Sequence, residues 1–218
     1  MRSCKKVSVL MGIYNCESTL DDAILSIVNQ TYQNWELIIC DDGSTDRSLD
    51  IARKWKKKEP RIILLKNSNN QGLNKTLNHC LCRATGEYIA RMDGDDVCVP
   101  ERFEKQVQYL EGQSDYAIVS SEMYFFDEDG VWGKNNKDLY PSIEQVVCGT
   151  PICHAPVMMR KECMDYVQGY TEDVHMLRVE DTNLWIKLYA AGYRCCNILE
   201  PLYGMRNDKN AVNRRKYR

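Results

Sequence analysis

Apolar and polar positions follow two rhythms along this chain, and their succession outlines a fold. VSVLM at 7–11 is a short, mainly apolar β-rich run, as expected of a strand covered on both faces. Leu20, Ala23, Ile24, Ile27 and Val28 then recur at helical spacing, with Ser18 placed as a cap and Asp21 in the first turn. WELIIC at 35–40 predicts a second buried strand, and Leu49, Ala52 and Trp55 a polar-faced helix after it. RIILLK at 61–66 predicts the third strand. Leu73, Leu77, Cys80, Leu81 and Ala84 mark the next helix, with Gly86 as its stop, and EYIARM at 87–92 the fourth strand. Strands alternating with helices build βαβ units, so the expected class is α/β, a mostly parallel Rossmann-like sheet with helices on both faces.

Beyond Pro100 the rhythm loosens. Phe103, Val107 and Leu110 predict a helix, and YAIVS at 116–120 and MYFF at 123–126 two strands before a DEDG turn. HAPVMM at 154–159 reads as a strand followed by a short helix, with Arg160 as its solvated first residue. Asp181 begins a helix whose Leu184, Trp185, Leu188 and Ala191 share a face and which Gly192 closes, and YRCCNI is the last strand. The expectation is a smaller, antiparallel C-terminal part. No linker or repeat divides residues 1–218, which predicts one domain with a first half at about 1–100 and a second at about 101–218.

Composition narrows the function. The 218 residues carry 29 basic and 31 acidic side chains, a net charge of -2, and so no global field for nucleic acid. The basic end NRRKYR at 213–218 is a candidate for peripheral membrane contact. The 11 cysteines show no C-x-x-C pair or zinc-finger spacing, and several fall inside apolar runs, which predicts a reduced, cytoplasmic protein. No apolar run approaches the roughly 18 residues needed to cross a bilayer, and no secretory signal opens the chain.

The chemistry gathers at the ends of the predicted strands. Asp41 and Asp42 follow the second strand, and Asp93, Asp95 and Asp96 follow the fourth. Ligands bind beyond the carboxyl ends of such strands, so both acidic groups fall on one rim. The chain has no G-x-G-x-x-G and no G-x-x-x-x-G-K-[ST], hence no glycine loop to cradle phosphates. Carboxylates with a hard cation, Mn²⁺ or Mg²⁺, are another way to hold a phosphorylated ligand, since such cations bridge one or two carboxylates to phosphate oxygens.

VSVLMGIYN, QTYQNWELIICDDGSTD, GEYIARMDGDDVCVPERFEKQ and VEDTNLWIKL, in this order, resemble the family 2 glycosyltransferases of the GT-A fold. The resemblance runs from about residue 7 to 206. It implies transfer of a sugar from a nucleotide-diphospho-sugar to an acceptor hydroxyl, usually with inversion at the anomeric carbon. By this resemblance Tyr14 packs on the base, and Asp42, supported by Asp41, accepts the N3–H of uracil. Asp95 ligates the metal, Asp93 addresses the ribose or a metal-bound water, and Asp96 orients the loop or supports the metal from behind its ligands. His154 lines the site near the diphosphate, and Asp181, next to Glu180, is the general base. Ser44 or Asp46 is expected to cap a helix. His79 and His175 have no assigned partner.

The resemblance fails in two places: Gly12 and Ile13 stand where relatives carry Pro and Thr, which removes a threonine contact to the base, and the second departure touches the metal. Where relatives carry a histidine able to approach the metal, MRNDKNAV keeps Arg206 but has Asp208, a candidate metal ligand. The implied donor is a UDP-sugar. The acceptor is a saccharide, a lipid-linked sugar or a protein, and the setting is surface-polysaccharide or glycoconjugate synthesis. A sugar nucleotidyltransferase and a catalytically silent nucleotide-sugar-binding protein are the alternatives. GIYNCEST lacks the basic, glycine-rich loop that the former needs.

Overall fold

The computed structural model describes residues 5–173 and 179–207. Four parallel strands form its first half: β1 (Val7–Ile13), β2 (Trp35–Asp41), β3 (Ile62–Lys66) and β4 (Tyr88–Arg91). Helices α1 (Leu20–Val28), α2 (Ser48–Lys58) and α3 (Leu73–Leu81) connect them. The second half holds β5 (Val97–Cys98), α4 (Arg102–Gly112), β6 (Ile118–Asp127), β7 (Gly130–Lys134), α5 (Ile143–Cys148), β8 (Met158–Arg160), α6 (Lys161–Tyr166), α7 (Glu180–Ala190) and β9 (Cys195–Arg206). One curled sheet runs in the order β3-β2-β1-β4-β8-β6-β9-β5, with β7 on β6.

Side-chain parity explains why both faces are covered. Val7, Val9, Met11 and Ile13 join Leu37, Ile39 and Ala90 in a core closed by α1, α2 and α4. The intervening Leu10, Ile38, Cys40 and Ile89 join a second core closed by α3, α5, α6 and α7. Successive strand residues point to opposite faces, so a run apolar at both parities needs helices on both sides.

The antiparallel character expected of the C-terminal half is present in β8, which runs against both β4 and β6, and in the β6–β7 and β5–β9 pairs. The long β6–β9 pair is parallel. The predicted strands at 116–120 and 123–126 form the single strand β6, whose register against β9 shifts on either side of Glu122. The strand expected at 154–159 shrinks to β8, because Pro156 has no N–H to give a ladder and the chain turns there through Val157 N to His154 O, 3.3 Å.

Three local expectations change. Gly86 does not end α3; it lies where β4 meets β1, and a Cβ there would stand 2.5 Å from Lys6 O. Ser18 does not cap α1, whose N-cap is Thr19. Arg160 is half-buried rather than solvated, and its Nη2 donates to Leu110 O at 2.6 Å.

Candidate active site

The chain leaves β1 for β2 and β3 on one side, then returns to place β4 on the other. This reversal opens a crevice beyond the carboxyl ends of β1 and β4. Tyr14, at the end of β1, is 50% exposed at its mouth. The loop after it is tied to the loop after β2: Asn15 N donates to Ser44 Oγ at 3.1 Å, Thr45 N to Asn15 Oδ1 at 2.9 Å and Glu17 N to Asp46 Oδ2 at 3.0 Å. Asp46 Oδ1 also accepts Ser48 N at 2.9 Å just ahead of α2, but the N-cap of that helix is Arg47 with no side-chain cap bond, so neither Ser44 nor Asp46 is the cap.

Asp41 and Asp42 are adjacent and buried but differ in their bonding. Asp42 accepts three hydrogen bonds, from Asn67 Nδ2 at 2.8 Å, Gln71 N at 2.9 Å and Gly72 N at 2.9 Å, and thereby holds the β3–α3 loop. Asn67 extends the network through Thr76 Oγ1 at 3.0 Å and His79 Nδ1 at 2.9 Å, which gives His79 its partner. Asp41 Oδ1 takes Ser44 N at 3.3 Å, while its Oδ2 is buried with no hydrogen-bond partner among the described residues. Gly43 between the loops has φ 78°, and a Cβ there would stand 2.9 Å from Asn70 N, so this crossing needs glycine on both grounds.

β4 delivers Asp93, Asp95 and Asp96, whose carboxylate oxygens lie within 4.8 Å of one another. Gly94 lets this loop lie against β1, since a Cβ would meet Cys16 Sγ at 3.0 Å and Ile13 Cγ2 at 3.1 Å. Asp93 accepts Arg91 Nη2 at 2.7 Å, and its N–H donates to Tyr203 Oη at 3.2 Å. Asp96 is buried and accepts Arg206 N at 2.8 Å. Burial, with the charges of Asp93 and Asp95, pushes its carboxyl up to about 7. Arg206 clamps the loop from β9, with Nε on Asp95 O at 3.2 Å and Nη2 on Asp22 Oδ2 at 3.3 Å. Clustered carboxylate oxygens are the donor set a hard divalent cation takes, so these residues fit Mn²⁺ or Mg²⁺. Asp208 and His175 lie outside the described residues, as does the basic segment at 213–218.

On the far side, His154 Nε2 is 2.9 Å from Tyr170 Oη, and its ring meets Trp185 edge-on at 5.7 Å. Burial, then the charge of Arg91, holds the His154 imidazole well below the ordinary histidine value, so it is neutral. Asp181 stands in the first turn of α7, its Oδ1 accepting Thr182 N at 2.7 Å. Burial pushes the Tyr170 hydroxyl up, Arg91 opposes it, and the charges of Asp93, Asp181 and Glu180 add to the rise. Sequence reasoning missed Asn67, Arg91, Tyr170 and Tyr203. Only Arg91 left a signal, as a charged residue inside the apolar run EYIARM.

Solved structures share this architecture. Staphylococcus aureus TarS 1-349 in complex with UDP-GlcNAc superposes with a TM-score of 0.78 at 20% identity, covering 94% of this chain and 59% of TarS. The mannosyltransferase PcManGT of Pyrobaculum calidifontis, in complex with GDP-Man and Mn²⁺, gives 0.76 at 18% identity over 96% of this chain and 59% of its own. The chain thus spans about three fifths of those structures. The fold is that of the GT-A class. The model of Glycosyl transferase family 2 matches residues 8–162, and the chain belongs to that family. EpsE of Bacillus subtilis is 46% identical over all of this chain and 78% of its own length. The amylovoran biosynthesis glycosyltransferase AmsE of Erwinia amylovora is 32% identical over 96% of this chain and 79% of its own. The chain is therefore a family 2 glycosyltransferase with a nucleotide-sugar donor, and the nucleotidyltransferase and silent-binder alternatives lose their ground.

Proposed function

We propose that this enzyme moves a sugar from a UDP-sugar to an acceptor hydroxyl with inversion, and that it depends on a divalent cation. The observation that carries the reading is the cluster of Asp93, Asp95 and Asp96 after β4, on the same rim of the sheet as Asp41 at the end of β2, whose buried Oδ2 lacks a donor among the described residues. Asp95 and Asp93 would hold Mn²⁺ or Mg²⁺, with Asp96 supporting them and Asp208 as a further ligand. The cation would supply Lewis acidity, neutralising charge on the departing diphosphate.

The remaining roles belong to the chain. Tyr14 stacks on the base. Asp41, rather than Asp42, accepts the uracil N3–H, because the Asp42 carboxylate is already committed to Asn67, Gln71 and Gly72. An acceptor carboxylate favours uracil or thymine, whose N3 carries a proton, over cytosine, whose N3 does not. Asp181 removes the proton of the acceptor hydroxyl as that oxygen attacks the anomeric carbon opposite the diphosphate. His154, neutral and bonded to Tyr170, lines the approach. Residues 1–100 serve the donor and residues 101–218 the acceptor, within one domain.

The polysaccharide role of AmsE supports surface-glycan synthesis, on a saccharide, lipid-linked or protein acceptor. Ten cysteines stand free among the described residues, which suits a reduced compartment such as the cytoplasm. No helix among the described residues is long and apolar enough to cross a membrane. The basic segment at 213–218 would serve for contact with the membrane face. The test is a panel of UDP-, GDP- and TDP-sugars with and without Mn²⁺, read by slow release of nucleoside diphosphate. Mn²⁺-dependent release of UDP alone is expected; metal-independent release, or release of GDP alone, overturns the reading.

A further inference from the structure

Arg91 ends β4 beneath the acidic loop, and its side chain is only 8% exposed. A buried guanidinium has to be repaid by partners, and here the payment goes to one carboxylate. Nη2 donates to Asp93 Oδ1 at 2.7 Å, while Nε is buried with no hydrogen-bond partner among the described residues. Asp93 is fixed at both ends, because its N–H donates to Tyr203 Oη at 3.2 Å.

Without Arg91, the acidic loop would meet a bare divalent cation with the Asp93 charge uncompensated. With Arg91, a fixed positive charge behind the loop offsets it. That charge opposes a bare cation and does not oppose a cation that arrives with an anionic diphosphate. We propose that Arg91 is a positioning residue that makes the acidic loop weak for a bare divalent cation and strong for the cation–diphosphate pair, so that metal and donor bind together. The inference rests on the metal-dependent reading above.

The test measures Mn²⁺ binding by electron paramagnetic resonance, with and without UDP, in the wild type, Arg91→Gln and Arg91→Lys. Arg91→Gln is expected to bind bare Mn²⁺ about tenfold more tightly, about 1.4 kcal/mol. The factor by which UDP tightens Mn²⁺ should shrink to match, and by reciprocity Mn²⁺ should tighten UDP by the same smaller factor. Arg91→Lys keeps the charge and should stay within about threefold of wild type for bare Mn²⁺. Unchanged or weaker bare binding in Arg91→Gln, with the UDP coupling intact, overturns the proposal. If Arg91→Gln does not fold, as judged by circular dichroism, Arg91→Met, which keeps the apolar stem and removes the charge, takes its place. Tighter bare Mn²⁺ binding with a smaller UDP coupling is expected there, and unchanged or weaker binding overturns the proposal. No Mn²⁺ binding by the wild type with any nucleotide overturns the metal-dependent reading itself, and this inference with it.

Discussion

Asp41 and Asp42 show how two identical, adjacent side chains separate into different roles. Asp42 spends its carboxylate on Asn67, Gln71 and Gly72, so its loss frees a loop. Asp42→Ala should cost about 1–3 kcal/mol, since buried donors lose their acceptor, and lower Tm by about 2–12 °C in a thermal melt. Asp41→Asn should leave Tm nearly unchanged and weaken UDP about 10- to 100-fold by calorimetry, the worth of a hydrogen bond to a charged group. Equal effects of the two changes would refute the division. Asp181→Asn should keep UDP affinity and reduce turnover by about 10²–10⁴-fold, the usual range for general base catalysis; full turnover would remove Asp181 from the role. The acidic residues were legible as types at strand ends. Which of them carried a free oxygen was not, because that depends on Asn67 and on backbone N–H groups brought in from another loop.

Among the elements, the opening edge of the sheet is held by one carboxylate. Glu36 of β2 is buried and accepts Ser8 Oγ at 2.6 Å, Lys6 Nζ at 2.6 Å, Thr85 N at 2.8 Å and Thr85 Oγ1 at 2.9 Å, joining β2, β1 and the turn before β4. Gly86 N adds a bond to Ser8 Oγ at 2.8 Å, in the place where a side chain would strike the β1 backbone. Burial alone would raise the Glu36 carboxyl, but the bonds from Lys6, Ser8 and Thr85 outweigh it and hold the pKa below the ordinary glutamate value. A depressed carboxyl stabilises the folded state above its unfolded pKa, and that contribution fades as pH falls through the folded value. Glu36→Gln should therefore lower Tm at pH 7, with the gap to wild type closing as pH drops below about 4.5. A constant gap across that range would assign the loss to packing. The strands themselves were legible because both parities are apolar. The helix α5 and the two-residue β5 were not, since neither is long enough to show a period.

At the scale of the molecule, the site exists because β4 returns to the far side of β1 and β9 closes over it. β9 contributes Tyr203 to the Asp93 backbone and Arg206 to Asp96 and Asp95. Arg102, fully buried on α4, braces the same region through Arg91 O at 2.8 Å and lies over the Tyr203 ring, 5.1 Å from its centroid. Ligands that bind only this assembled arrangement must stabilise the whole fold. Mn²⁺ with UDP at about 100 times the dissociation constant should add about 2.7 kcal/mol, a rise in Tm of about 5–11 °C. A chelator should remove most of that rise, and a shift indifferent to chelation would count against a metal-bridged donor.

The sequence by itself determined the alternation of strands and helices, the double-sided cover of the first four strands and the order of the acidic motifs. Those are local matters of side-chain period, and Asp93, Asp95 and Asp181 could be named from them together with the family resemblance. It did not determine that β6 and β9 pair in parallel, that the two runs between 116 and 126 merge into the one strand Ile118–Asp127, or that Arg91, Asn67, Tyr170 and Tyr203 stand around the site. Each of those follows from which strands become neighbours, and the neighbours are chosen by burying two cores at once. The charge on Arg91 could be read in the chain, but its partner Asp93 is only two residues away and points back at it because β4 stops there. Tertiary structure decided that a buried cation would stand behind the acidic loop, since only a packed interior makes the guanidinium choose a carboxylate over water.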